Sequence, residues 1–324
     1  MTLSRPHRRL AVAGAAAALV TAAAFVAPYL LPADPNATDL SRALLPPLSQ
    51  GSLLGTDSVG RDVLLRTLAG GHESLLSAFA VIAASYGVGV VAGLAAGFFG
   101  GAAGAVLDKV ITSFQAFPSF VLAVAVSALL GQGTGNMVLA ISLAYWTQPA
   151  RLARSMALKL RSSDAVRAAR VCGARGRHIC AKYLLPALAG PLAVQAALAV
   201  GDVVLTMAGL SFLGLGPARP TNEWGAIMAD ARSTFQIAPW CIVVPGVALL
   251  VVVTVFNLLG DSLRDVLEAR GVQVEQPERR DRRRRRQTPR GLPRGMRRAA
   301  GRASGGAAAP AGLRGEEATW GESA

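Results

Sequence analysis

Residues able to do chemistry are few in this sequence, and they do not gather. Cys172, Cys180 and Cys241 form no Cys-x-x-Cys pair, and an odd count of three implies neither a closed disulfide framework nor a zinc site. His7, His72 and His178 lie far apart, so no metal cluster can be assembled from them. The sequence has no nucleophile elbow, no clustered carboxylate pair and no Gly-x-x-x-x-Gly-Lys-[Ser/Thr] cradle for ATP phosphates. The acid that stands out is Asp202, well inside an apolar run. An ionisable group at that depth marks function by default. It either lines a path and faces a cationic or amine-bearing cargo, or it pairs with a partner subunit or sits in a water-filled cavity.

The most informative stretch is Ser162–Pro191. Asp164–Cys172 reads as helical, with Ala168 and Ala169 as small helix formers. Gly173 permits a turn that a β-carbon would hinder. A second helical piece, Arg175–Leu185, leads to Pro186, which opens the next apolar run. A helix–Gly–helix hairpin between two apolar runs would lie on a membrane face and present a small-residue side for docking, with a basic remainder. An ordinary basic loop is the competing reading.

The elements that must position these residues are membrane spans. Of 324 residues, 52% are hydrophobic and 16% charged, against about 25% charged in soluble domains. Apolar runs fall at Leu10–Leu31, Leu75–Phe99, Phe117–Leu130, Met137–Trp146, Leu188–Leu210 and Pro239–Leu259. The third and fourth are short, and the fourth is expected to continue helically past Pro149. The first, of about 22 residues, exceeds a signal-peptide core and is read as an uncleaved helix behind a basic N-terminus, residues 1–9. The fold class is therefore an all-α integral membrane protein with about six transmembrane helices, two of them joined by the helix–Gly–helix segment.

The net charge of +14 suggests nucleic acid, but its placement argues for membrane topology and against nucleic-acid binding. With a cytoplasmic N-terminus, the inner segments hold 28 of the 33 Lys and Arg residues, and the outer ones hold Arg42, Arg61, Arg66, Arg219 and Arg232. That asymmetry is the positive-inside pattern and puts both termini in the cytoplasm. The external segment, residues 32–74, is followed by a five-helix core to residue 270. Residues 271–324, with Arg282–Arg286, cannot support a packed core and read as a disordered cytoplasmic tail able to meet anionic lipid. Gly87, Gly89, Gly93 and Gly97 lie at spacings that let helix backbones approach closely. In the external segment, Asp57 and Asp62 either shape a delivery surface with Arg61 or serve as turn residues, which Gly60 favours.

Five motifs then occur in order. Ala168-Ala169, Gly173, Tyr183 and Leu185-Pro186 resemble the EAA loop of binding-protein-dependent ABC importer permeases. Leu54–Asp57 with Gly60–Leu64 resembles the external segment of the peptide and nickel branch. Phe117-Pro118-Ser119 fits, as do Leu210–Gly216 with Glu223-Trp224-Gly225, and Asn257–Asp261 before Leu263-Arg264-Asp265. The resemblance covers about residues 10–270. It implies coupling helices seated in a groove of an ATPase subunit, with Arg167 standing where the family has Glu and Tyr183 where it has Ile. It further implies a sister permease, two ABC ATPase subunits that hold ATP and Mg, an extracytoplasmic substrate-binding protein, and no cofactor on this chain. Many peptide-branch relatives carry an acid where this chain has Met207, which joins Asp202 as a candidate pathway residue. Di- or oligopeptides are the expected cargo, with nickel or another small solute as the alternative. An ion-coupled secondary transporter would want several intramembrane charges and paired broken helices, which one Asp and no repeat do not supply.

Overall fold

The computed structural model describes residues 5–30, 33–49 and 51–286. Eleven α-helices are present among them: α1 (Arg5–Leu30), α2 (Val63–Leu94), α3 (Gly101–Gln115), α4 (Ser119–Leu130), α5 (Thr134–Tyr145), α6 (Thr147–Arg161), α7 (Asp164–Val171), α8 (Gly176–Ile179), α9 (Leu185–Phe212), α10 (Trp224–Asp230) and α11 (Trp240–Arg286). Single π-helical turns, Ala95–Phe99 and Cys180–Leu184, extend α2 and join α8 to α9. The only β-pairings among the described residues are isolated bridges, Ser49 with Ser52 and Thr56 with Asp62.

Four helical stretches are long and apolar enough to cross a membrane: Pro6–Leu30, Val63–Phe99, Gly176–Phe212 and Trp240–Ala269. The pair α3 and α4, bent by 88°, makes a fifth if counted as one span. The bend falls at Phe117-Pro118, where proline cannot donate to a continuing helix and its ring restrains the residue before it. The expected sixth span corresponds to α5. Its 12 residues reach only about 18 Å, but α6 follows after Trp146 and carries the helical path past Pro149, as the sequence suggests.

Three sequence expectations change. The second span begins at Val63 rather than Leu75, because Asp62 caps it by accepting from the backbone N–H groups of Leu64 and Leu65. Gly101–Gln115, read as a connection, is a helix. The described residues divide into two units, with the division after Gly271. Within the segment read as a disordered tail, residues 271–286 are helical, as their Glu, Gln and Arg content permits; residues 287–324 lie outside the described residues.

The tightest seam in the first unit runs between α2 and α6. A β-carbon on Gly89 would overlap the carbonyl oxygen of Trp146, and one on Gly93 that of Ala150. One on Gly97 would lie 2.7 Å from the carbonyl oxygen of Arg154. Ala150, Ala153 and Ala157 answer from α6, all fully buried. Two rows of small residues thus bring the backbones into contact, where dispersion and close approach replace the hydrophobic drive that lipid removes. Gly87 is not part of this row: its missing β-carbon faces open space. The main core lies beside the seam, where Leu75, Ala78, Met137, Ile141, Val203, Met207, Leu210 and Trp224 pack from α2, α5, α9 and the start of α10. Gly93→Ala is expected to cost about 1–3 kcal/mol by overpacking, read as a lower melting temperature of the detergent-solubilised protein, while Gly87→Ala leaves it unchanged.

Candidate functional site

At the far end of α6 the chain turns into the hairpin. Ser163 caps α7 by accepting from the Val166 N–H at 3.4 Å. Helix α7 ends in a Schellman closure: the Ala174 N–H donates to the Ala169 carbonyl and the Gly173 N–H to the Arg170 carbonyl, each at 2.9 Å. That closure requires a left-handed residue, and Gly173 supplies it with φ of 81°. Gly214 closes α9 in the same way.

The hairpin is socketed on the end of α2. Phe98, from its π-helical turn, packs with Ala157, Val166, Ala169, Ile179 and Leu184. Phe99 meets the Phe98 ring edge-on, and the Arg170 guanidinium sits 5.3 Å from its centroid. Gly176 leaves room for the same ring. The Ala168-Ala169 pair therefore divides: Ala169 is buried in the socket, while Ala168 faces outward with Ala165, Val171 and Cys172. Val171 is 89% exposed, beside the small side chains of Ala165 and Ala168. Arg167 is also exposed and pairs with Asp164 at 2.6 Å, a surface contact of little energetic weight. Tyr183, Leu185 and Pro186 are exposed on the following turn. Phe98, the residue on which this arrangement rests, was missed in the sequence, where it reads as the end of an apolar run.

At the opposite end of α2, two motifs distant in sequence meet. Asp57 accepts from the backbone N–H groups of Val59 and Arg61, which closes a turn, and from the guanidinium groups of Arg61 at 2.7 Å and Arg66 at 2.9 Å. Arg66 is only 1% exposed. It also donates to Asn222 Oδ1 at 3.2 Å, to the Thr221 carbonyl at 3.0 Å and to Asp230 at 3.4 Å. Arg61 and Arg219 reach Asp230 as well, at 3.4 and 2.5 Å. Gly60 fits this turn because a β-carbon there would strike the Asp39 carbonyl. Thus Asp57, Gly60 and Asp62 take up turn and cap positions, and Arg61 belongs to a half-buried charge cluster.

The segment before α10 clamps over the first turns of α2. Trp224 donates its indole N–H to the Thr67 carbonyl at 2.8 Å, and Glu73 accepts from the Thr221 hydroxyl and the Asn222 N–H. Glu223 caps α10 by accepting from the N–H groups of Gly225 and Ala226. Burial pushes the Glu223 carboxyl above the usual glutamate range, against the hydrogen bonds from Gly225 and Ala226 that favour its charged form. Arg66, Asp230 and Glu73 were not singled out from the sequence; an Arg and a Glu within an otherwise apolar helical stretch were the available signal.

The two candidate pathway residues separate. Asp202 is exposed on α9, and one turn on, Thr206 shares a 2.8 Å hydrogen bond with Tyr145. Met207 is fully buried in the main core and reaches no surface shared with Asp202, because it lies on the opposite side of the same helix.

The described residues thus form a polytopic helical subunit with a socketed hairpin at one end of α2 and a clamped loop layer at the other. Residues 89–272 match the family described as binding-protein-dependent transport system inner membrane component. The nickel transport system permease protein NikC of Escherichia coli (strain K12) is 39% identical over 251 residues, covering 78% of this chain and 90% of the relative. The di/tripeptide transport system permease protein DppC of Pseudomonas aeruginosa is 38% identical over 257 residues, covering 78% and 85%. The dipeptide transport system permease protein DppC of Haemophilus influenzae is 33% identical over 257 residues, covering 78% and 87%. The chain belongs to this family and is a multi-pass permease subunit of an ABC importer.

Removing the Arg66 guanidinium leaves Asp57 and Asp230 to Arg61 and Arg219 alone and strips the donor from Asn222 Oδ1 and the Thr221 carbonyl. Arg66→Met is expected to cost about 3–5 kcal/mol, measured as a lower melting temperature or as loss of folded protein from the membrane fraction.

Proposed function

We propose that this permease carries di- or oligopeptides across the cell membrane as half of a heterodimeric path, driven by ATPase subunits docked on the α7 hairpin. Two relatives named for peptide transport support the cargo class. The one named for nickel keeps chelated metal or another small solute as the second reading. ATP and Mg would be held by two partner ATPase chains, and an extracytoplasmic binding protein would deliver cargo at the clamped loop end. The gathering of Lys and Arg near the N-terminus, the hairpin and the tail supports cytoplasmic termini by the positive-inside rule.

The observation that carries the docking reading is the outward face of α7, with Ala165, Ala168, Val171 and Cys172 exposed on a hairpin anchored by Phe98. Small side chains permit close approach, and an exposed apolar patch is suited to a partner. With Arg167 in place of the family's Glu, an acidic counterpart on the ATPase would complete the contact. ATP-driven closure of the two ATPases would move the hairpins, and the anchored α2 and α6 would swing with them, a ligand-biased shift between two states.

A bifunctional thiol reagent is expected to link Cys172 to a cysteine placed in the ATPase groove. Ala168→Asp should lower ATP-dependent transport by about tenfold or more while the protein remains folded. A complex that shows no Cys172 cross-link and transports normally with Ala168→Asp would reject the docking reading. Asp202 offers a carboxylate to the peptide N-terminal amine. Asp202→Asn is expected to reduce uptake of peptides with a free N-terminus more than of N-acetylated ones, and unchanged preference would remove that role.

A further inference from the structure

Where α1 begins and the apolar part of α11 ends, a cleft of about 450 Å³ opens between the two helices. One wall is apolar: Val12, Ala13 and Ala16 from α1 face Val255 and Leu258 from α11. Its mouth carries both signs of charge, with Arg8 and Arg9 on one helix and Asp261 and Asp265 on the other. The only ion pair across the mouth among the described residues is Arg9 with Asp265, at a loose 4.0 Å and with the Arg side chain 77% exposed.

The spacing is regular. Arg9, Ala13 and Ala16 follow one face of α1, and Val255, Leu258, Ser262 and Asp265 follow one face of α11, so charge and apolar wall form one continuous strip on each helix. From Arg9 to Ala16 the strip runs about 10 Å along the helix, from the headgroup level into hydrocarbon.

We propose that this cleft holds one zwitterionic aminophospholipid of the phosphatidylethanolamine type. Its phosphate meets Arg8 and Arg9, its primary ammonium donates to Asp261 and Asp265, and an acyl chain lies along the apolar wall. Charge complementarity selects this occupant. A phosphatidylglycerol headgroup would satisfy the arginines and leave both carboxylates unanswered. A phosphatidylcholine headgroup carries the charge but has no N–H to donate. The arginine-rich tail would answer the two acids, but Arg8 and Arg9 would repel it. The inference requires only that α1 and α11 cross the membrane; it does not depend on cargo or ATPase docking.

Native mass spectrometry of the detergent-solubilised permease complex, with each lipid added in turn, tests it. Phosphatidylethanolamine should be retained in preference to phosphatidylcholine and phosphatidylglycerol. Asp261→Asn with Asp265→Asn should lower phosphatidylethanolamine retention about fivefold or more without lowering phosphatidylglycerol retention, and Arg8→Gln with Arg9→Gln should lower retention of both. A photo-reactive residue in place of Val12, which is 66% exposed, should form a phospholipid adduct in the native membrane. Equal retention of the three lipids, indifference to the Asp pair, or an adduct only to the sister permease or to the chain's own tail would overturn the proposal.

Discussion

The backbones of α2 and α6 meet without side chains between them, and the rest of the subunit is arranged around that contact. Gly89, Gly93 and Gly97 remove the β-carbons on one side, and Ala150, Ala153 and Ala157 keep the other side shallow. In lipid no hydrophobic drive holds helices together, so dispersion at close range must do so, and it falls away steeply with even a small gap. The seam therefore fixes where α6 ends and where Phe98 stands. From those two positions follow the socket for Val166 and Ala169, the direction of α7 and the outward face of the hairpin.

The other end of α2 is held by a different kind of force. Arg66, buried at the start of an apolar helix, is satisfied from Asp57, Asn222, Thr221 and Asp230, so two loop segments more than 150 residues apart are tied to one side chain. Trp224 and Glu73 add a second tie across the same turns. A long helix clamped above and socketed below can pass a displacement at one end to the other with little internal bending. If ATPases dock on the hairpin as proposed, α2 would act as a lever between the hairpin and the loop layer.

Much of this was legible in the sequence, for identifiable reasons. The hairpin was readable because Gly173 and the small Ala168-Ala169 pair announce a capped helix and a turn, both local events. The spans were readable because hydropathy survives any tertiary arrangement. What the sequence hid depends on distant partners. Gly87 looks equivalent to Gly89, yet only a facing helix decides which one is needed. Arg66 reads as an external charge in the sequence, and only the folded chain brings Asp57 and Asp230 around it. Residues 63–74 looked like loop because Arg66, His72 and Glu73 are polar, although Arg66 and Glu73 are answered within the protein and His72, half-buried, meets Phe25 edge-on. Met207 and Asp202 share a helix, and only packing reveals that they face different surroundings.

Spin labels on Cys172 and on a cysteine in place of Val91, which is 70% exposed beside the seam, report most directly on the lever. Their separation should be measured in the assembled transporter with and without ATP, alongside the distance between the two hairpins of the permease pair. Rigid transmission requires the distance within the subunit to stay constant while the distance between hairpins shortens. A hairpin that moves relative to position 91 when ATP binds would contradict the account.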